Sequence, residues 1–320
     1  MVGDGSIFLA IRENTRGETG TETSDPFAVP PFSTSDIVVH TAGGLLNLTC
    51  LVLAVRWLAA HSSLLLQGWY WTIAALVLGT YVADFVSGLL HWAFDTWFSE
   101  DWTLVRRMVL LVREHHIHPN RIFRYRLWHD AGVLSWFAFL VSAPIVARVL
   151  ALHTPAAPFD ASLVLGAVVA SLEIVFMLEF HKCGHRLRRP TALRALQWTQ
   201  MLLSPRQHLP HHSGFHDRNY CLITGIFDRT AGRLGAWRLL ESLVSHLTGW
   251  VPRDNDRVWL QRYGRLPAAQ NVSGLQGGVI GDHWGGAKEP VLRRNQAQRL
   301  PERSEHCGGQ AKRCNQPGGG

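Results

Sequence analysis

Hydrophobic positions in this chain fall into four long runs, separated by polar stretches of unequal length. The runs are DIVVHTAGGLLNLTCLVLAVRWLAA over about 37–60, GWYWTIAALVLGTYVADFVSGLLHWAF over 68–94, AGVLSWFAFLVSAPIVARVLAL over 131–152 and ASLVLGAVVASLEIVFMLEF over 161–180. A bilayer core takes about 20 helical residues at ~1.5 Å each, and every run is long enough. The alternative is four buried helices of a soluble protein, and four such runs in one chain are hard to cover with polar structure. The pattern therefore predicts an all-α integral membrane protein with about four transmembrane helices.

The flanks read differently. Residues 1–35 are polar and end in PFAVPPFS, which predicts a disordered N-terminal arm without the basic start and apolar core of a signal peptide. Residues 265–320 carry Gly, Gln, Arg and Asn with little periodicity and are predicted to be a disordered tail. That leaves 36–264 as one membrane domain. Within it, PTALRALQWTQMLL and GAWRLLESLVSHLTGW are helical patterns suited to lying on a membrane surface.

Charge orients the spans. Hydrophobic residues are 47% and charged residues only 17% of the chain, whose net charge is +7. The turns HSSLLLQ and HTPAAPFD hold no Lys or Arg, whereas Arg106, Arg107, Arg113, Arg121, Arg124 and Arg126 lie between runs two and three. Lys182, Arg186, Arg188, Arg189, Arg194 and Arg206 follow run four. Because positive loops stay in the cytoplasm, both termini and both basic segments are expected there. Trp69, Tyr70 and Trp71 would mark the opposite interface. Asn47 and Asn271 match the glycosylation pattern, but one lies inside a span and the other on the cytoplasmic side, so neither is expected to be used. The five cysteines have no paired spacing, which argues against a disulfide framework.

The candidate chemistry lies in the histidines. QHLPHHSGFHD, residues 207–217, holds His208, His211, His212 and His216; REHHIHP holds His115 and His116; EFHKCGH holds His181 and His185; His91 closes run two. Residues three and four apart share a helix face, and a neutral imidazole is the commonest protein ligand for a transition metal. Pro210 is expected to break the helix or start it. Any one cluster could be a solvated basic patch. Together, nine histidines at one predicted face exceed what a single zinc needs and point to two metals. No cysteine pair suits an iron–sulfur or structural zinc site, and few carboxylates adjoin the histidines, unlike the carboxylate-rich di-iron bundles. Asp84 and Asp95, seven before and four after His91, are candidates to hold an imidazole's second nitrogen. Glu173, deep in run four, and Asp217, beside His216, are further outer-shell candidates. No catalytic residue is expected beyond the metal ligands.

ADFVSGLLHWAFDTW, REHHIHP, HKCGH, PRQHLPHHSGFHDRNYCLITG and GAWRLLESLVSHLTGWVPRDND occur here in order. Together they resemble the plasmanylethanolamine desaturases, the Kua or CarF-type lipid desaturase domain, over about residues 40–263. The resemblance implies a multi-pass membrane enzyme with a cytoplasmic histidine-rich helical cap. Such an enzyme uses two histidine-bound irons and O2 to form the vinyl-ether double bond of plasmalogens from 1-O-alkyl ethanolamine phospholipids, reducing O2 to water. By position, the matching ligands are His91, His115, His116, His181, His185, His208, His211, His212 and His216. His118 stands where the family motif has an acidic residue and is not carried over. The implied partners are a membrane phospholipid and an electron donor such as cytochrome b5 or ferredoxin with its reductase; no nucleic acid is expected. The implied location is the endoplasmic reticulum membrane in a eukaryote or the cytoplasmic membrane in a bacterium.

Three other readings compete. Plant-type desaturases, acting near the carboxyl end of a phospholipid acyl chain, share the domain. A lipid hydroxylase shares the first hydrogen abstraction. A metal transporter would carry ligands at mid-bilayer, yet run three has no His, Asp or Glu. Ligands gathered at the ends of spans place the oxidation close to the glycerol backbone.

Overall fold

The computed structural model describes residues 29–103, 105–151, 155–186, 188–213 and 216–252. Most of the expected N-terminal arm and the whole expected C-terminal tail lie outside these residues. Among the described residues, four helices are long and apolar enough to cross a membrane: α1 (Thr34–Ala60), α3 (Trp69–Thr96), α5 (Ala131–Leu150) and α6 (Pro158–Val175). A six-residue helix, α2 (Ser62–Gln67), fills the first turn. The chain is a multi-pass, all-α protein with no strand among the described residues.

The start of α1 has a local cause. Ser33 accepts a hydrogen bond from the Asp36 backbone N–H, and the Asp36 carboxylate accepts one from the Ser33 N–H, a reciprocal capping box. The span thus begins two residues inside the segment expected to be an arm.

Contacts fix the helix directions. His40 meets Gly132 and Cys50 meets Ser142, so α1 and α5 run the same way. Thr72 meets Ser162 and Thr80 meets Glu173, so α3 runs parallel to α6. At the α3–α6 crossing, a Cβ on Gly79 would lie 2.5 Å from the Gly166 carbonyl oxygen. Only glycine lets the backbones approach this closely, a packing mode that replaces the hydrophobic effect between helices in lipid. Ser171 donates to Asn47 at 2.9 Å, joining α6 to α1; Asn47, one of the two glycosylation matches, is thereby buried between spans. Helix α6 is the most enclosed of the four, with 56% of its apolar window buried against 22% for α1. Val52, Leu48, Val77 and Leu140 point outward, and Trp69, Tyr70 and Trp71 are exposed together at the start of α3.

The remaining helices gather at one end of the bundle, where α3 and α6 finish and α1 and α5 begin. They are α4 (Arg106–Ile117), α7 (Met177–His185), α8 (Thr191–Trp198), α9 (Pro205–His212) and α10 (Ala236–Thr248). The fourth apolar run does not continue as one helix to 180. It breaks at Phe176, which lies outside helical geometry, and α7 starts at Met177. Helix α9 contradicts the expectation of a break or start at Pro210. It begins at Pro205, capped by Ser204 with Gln207, and runs through Pro210. In eight residues the first four N–H groups have no helical partner anyway, so Pro210 forfeits only one bond. Helix α10 buries Trp237 alone and turns Leu239, Leu243 and Leu247 outward as one stripe. An outward apolar stripe of this kind is what a helix lying on a membrane surface requires.

Candidate active site: two imidazole groups

Helices α4 and α9 each carry adjacent histidines. Neighbours on a helix point about 100° apart, so a doublet cannot serve one point and instead divides between two. His115 and His116 on α4, and His211 and His212 on α9, divide in this way. The first group is His115, His181, His185, His208 and His212; the second is His91, Asp95, His116 and His211.

In the first group the Nε2 atoms converge: His115 to His181 at 3.1 Å, His181 to His208 at 2.8 Å, His181 to His185 at 3.2 Å and His208 to His212 at 3.0 Å. In the second, His116 Nε2 lies 3.4 Å from His91 and 3.1 Å from His211. Nitrogens held at ~2.1 Å from one ion stand ~3.0–3.4 Å apart, depending on whether they meet at a right or a tetrahedral angle. Apart from the shorter His181–His208 pair, the spacing in both groups fits that requirement. Burial, reinforced by neighbouring imidazoles, holds His115, His181, His208, His211 and His212 well below the usual imidazole range. Burial alone lowers His185 to about 4. Imidazoles that stay neutral at pH 7 keep their lone pairs for a metal.

The second group is built differently. Asp95 carboxylate oxygens lie 3.6 Å from His91 Nε2, 3.8 Å from His116 Nε2 and 3.7 Å from His211 Nε2. Asp95 therefore faces the same point as the imidazoles instead of backing one of them. The second nitrogens are taken by backbone: His91 Nδ1 donates to the Tyr220 carbonyl at 3.0 Å and His211 Nδ1 to the Arg218 carbonyl at 2.8 Å. These carbonyls do what the sequence reading assigned to carboxylates. Such a partner leaves no trace in side-chain identity.

A family model described as the lipid desaturase domain matches residues 80–255. Mouse (Mus musculus) plasmanylethanolamine desaturase 1 is 31% identical over 225 residues, which are 68% of this chain and 77% of the mouse protein. The chain belongs to the lipid desaturase family. It is also similar to the plasmanylethanolamine desaturase of Myxococcus xanthus, at 31% identity over 59% of this chain and 66% of that protein. Chloroplastic fatty acid desaturase 4 of Arabidopsis thaliana is 28% identical over 55% of this chain and 52% of its own length. No solved structure matches.

In this lipid desaturase the other outer-shell candidates have different work. Asp84 shares the α3 face of His91 but sits seven residues, about 10 Å, along the axis. Its carboxylate accepts backbone N–H bonds from Thr224 at 2.8 Å, Gly225 at 3.0 Å and Phe227 at 2.9 Å. Ser87 accepts from Leu222 N–H, and a Cβ on Gly88 would meet Cys221 Sγ at 2.7 Å. Asp84, Ser87, Gly88 and His91 thus form one stripe along which segment 220–227 lies flat. That contact sets the Tyr220 carbonyl opposite His91. Glu173 accepts from Thr80 at 3.0 Å, and Asp217 pairs with Arg238 at 2.9 Å. His216 joins neither group; its ring is stacked on His116 with centroids 3.9 Å apart and planes at 3°. Its backbone is left-handed, at φ 52°, a conformation that costs roughly 1–3 kcal/mol. His118 ends α4 and also stands outside both groups.

Both groups open on one pocket. His91, His115 and His181 line it among Leu111, Phe137 and Met177, with Asp130 as its only carboxylate among the described residues. Asp130 is buried, and burial lifts its carboxyl to about 6 despite the nearby Arg107 and Lys182.

Proposed function

We propose that this enzyme is an O2-dependent desaturase that forms the vinyl-ether double bond of plasmalogens in a 1-O-alkyl ethanolamine phospholipid. The observation that carries the reading is the pair of converging imidazole groups opening on an apolar pocket at the ends of α3 and α6. The mouse and Myxococcus relatives carry that activity in their names.

The proposed ligands of two irons are His115, His181, His185, His208 and His212 in one site and His91, Asp95, His116 and His211 in the other. His216 is placed against His116 as a positioning residue. Bound there, the irons would supply the O2 activation that an unactivated C–H bond demands and no side-chain base provides. The chain's own residues do the rest. Leu111, Phe137 and Met177 exclude water and hold an alkyl chain straight past three imidazoles. The Tyr220 and Arg218 carbonyls hold His91 and His211 in the tautomer that leaves Nε2 unprotonated. Because the pocket lies where spans end, a phospholipid whose headgroup rests at the interface presents its first carbons there. Carbons near the chain end would lie about 15 Å deeper.

In this reading the histidine end faces the cytoplasm, in the endoplasmic reticulum membrane of a eukaryote or the cytoplasmic membrane of a bacterium. It receives electrons there from a donor such as cytochrome b5 or ferredoxin. Membranes containing the full-length protein, given a 1-O-alkyl phospholipid, O2 and a reductase system, should yield fatty aldehyde on mild acid treatment, because acid cleaves a vinyl ether and not an alkyl ether. A trans double bond near the ester carboxyl, or a hydroxylated chain, with no aldehyde, would replace this reading.

A further inference from the structure

Helix α4 has two working faces. Met108, Leu111, Val112 and His115 face the apolar pocket. Arg107 and Glu114, seven residues apart, face a separate polar hollow on the other side, together with Arg121, Arg124 and Tyr125 from the 3-10 turn that follows. Segment 29–32 covers one flank of this hollow, with the Phe32 ring 3.9 Å from the Arg107 guanidinium. The two spaces meet at one corner. Arg107 Nη1 donates to the His129 carbonyl at 3.3 Å, and Asp130, the next residue, lines the apolar pocket.

Two buried atoms at that corner lack a partner in the protein: Nε of Arg107 and Oδ1 of Asp130. Arg107 is 9% exposed and Asp130 4%. A buried guanidinium nitrogen without an acceptor is costly, and such a group calls for a ligand to complete it. The hollow is also cationic. Glu114 is already held by Arg121 at 2.8 Å and by the Tyr125 hydroxyl, and no carboxylate among the described residues pairs with Arg124. Chain neighbours of its lining residues mix apolar and basic groups: Phe123 is 43% and Trp128 60% exposed, with the Arg126 guanidinium 4.9 Å above the Trp128 ring. Exposed aromatic side chains beside arginines suit the membrane interface.

We propose that this hollow is the phosphate site for the substrate headgroup, with Arg107, Arg121 and Arg124 facing the phosphodiester and the lipid chain passing Asp130 into the apolar pocket. The inference rests on the reading above that the substrate is an intact phospholipid. Guanidinium forks match phosphate oxygens better than any other side chain. The lengths agree as well. From phosphorus to the first carbons of the sn-1 chain is about seven single bonds, ~9 Å extended. From Arg107 to His115 is a helical rise of ~12 Å, comparable with that reach. A phosphate held on one face of α4 thus leaves the first chain carbons beside His115 on the other. Mid-chain carbons would overshoot.

The test uses purified full-length protein in detergent and native mass spectrometry. Binding of a 1-O-alkyl-2-acyl glycerophosphoethanolamine is compared with that of 1-O-alkyl-2-acylglycerol, which lacks the phosphate. The phospholipid should bind more tightly by about tenfold or more, the worth of charge-assisted hydrogen bonds. Exposed Arg124→Ala should cut that preference to about threefold or less while leaving the thermal midpoint of the protein unchanged. Equal binding of the two lipids by the wild type, which needs no variant to fold, overturns the proposal; so does an Arg124→Ala protein with undiminished preference. Inorganic phosphate is the third arm. Displacement of the phospholipid by millimolar phosphate supports the site; phosphate that binds without displacing it assigns the hollow to the free anion and defeats the headgroup role. Aldehyde release measured in parallel separates the two readings. Phosphate-dependent binding with no aldehyde defeats only the proposed reaction, and aldehyde formation with phosphate-indifferent binding defeats only the headgroup site.

Discussion

The two imidazole groups lie side by side and share two helices, yet they are held by different means. In the second group a carboxylate, Asp95, stands among the imidazoles, and backbone carbonyls of Tyr220 and Arg218 fix the rings of His91 and His211. In the first group all five members are imidazoles, and the Nδ1 atoms of His115, His208 and His212 have no partner in the protein. Helix packing alone orients them: Gly184 lies against His208 and Leu203, and Gln197 ties α8 to the end of α7 and to Leu203. His91, Asp95, His116 and His211 are all buried, whereas His185 and His212 are partly open. The lesson is that anchoring by carbonyls and an anion makes a stiffer, tighter site than packing does. The second group is expected to keep its metal longer, and the first to exchange it.

The largest effect should come from removing a member that touches a neighbour in its own group. His211→Ala and His208→Ala should each lower turnover by more than ~100-fold, measured as aldehyde release per protein. His118→Ala, outside both groups, should stay near wild type; equal loss there would dissolve the division into two groups. Next, Asp95→Asn keeps the shape and removes the anion. Metal affinity of the second group should fall ~10–100-fold, while the first group, read by metal retention during dialysis against a chelator, should be unaffected.

A smaller effect should follow Asp84→Ala. Three backbone N–H groups would lose their acceptor, at about 1–3 kcal/mol each before relaxation. Thermal unfolding should shift down, and the segment carrying the Tyr220 carbonyl should loosen. Metal should then leave the second group first, reversing the wild-type order. Loss from the first group first, as in wild type, would show that segment 220–227 does not hold His91.

The smallest effect concerns the pocket on which both groups open. Burial raises Asp130 to about 6 from an unfolded value of 3.8. The native chain therefore holds this proton more tightly than the unfolded chain. Its contribution to stability is complete below pH 3.8 and is lost as pH rises through about 6. Asp130→Asn should match wild type in thermal midpoint at about pH 3.5 and exceed it at pH 7.5, by on the order of 1–3 kcal/mol. Identical curves at both values would mean that Asp130 is solvated.

Much of this is legible in the sequence. The four spans follow from hydropathy, and their observed ends lie within about five residues of the expected ones, because lipid thickness leaves little freedom. The nine histidines could be collected from spacing. Their division could not, because it depends on which way α4, α7 and α9 face one another; the HH doublets at 115–116 and 211–212 carried the one local hint. Asp84 and Asp95 looked alike from His91, and both share its helix face. Only the rise per residue and the course of segment 220–227 separate a backbone acceptor from a member of the second group. His216 looked like its neighbours, but the left-handed backbone at that residue accompanies a ring stacked on His116. Pro210 reads as a breaker in the sequence, but in a helix of eight residues it removes one bond and the helix continues through it. The break at Phe176 was hidden by apolar residues that continue past it.

The most direct measurement is the iron content of the full-length protein beside that of two variants, each disabling one group. Wild type should bind two irons per chain. His211→Ala and His185→Ala should each bind one, and the single iron of His185→Ala should resist a chelator longer than that of His211→Ala. One iron in wild type, or a loss of both irons on either substitution, would contradict two separately held sites.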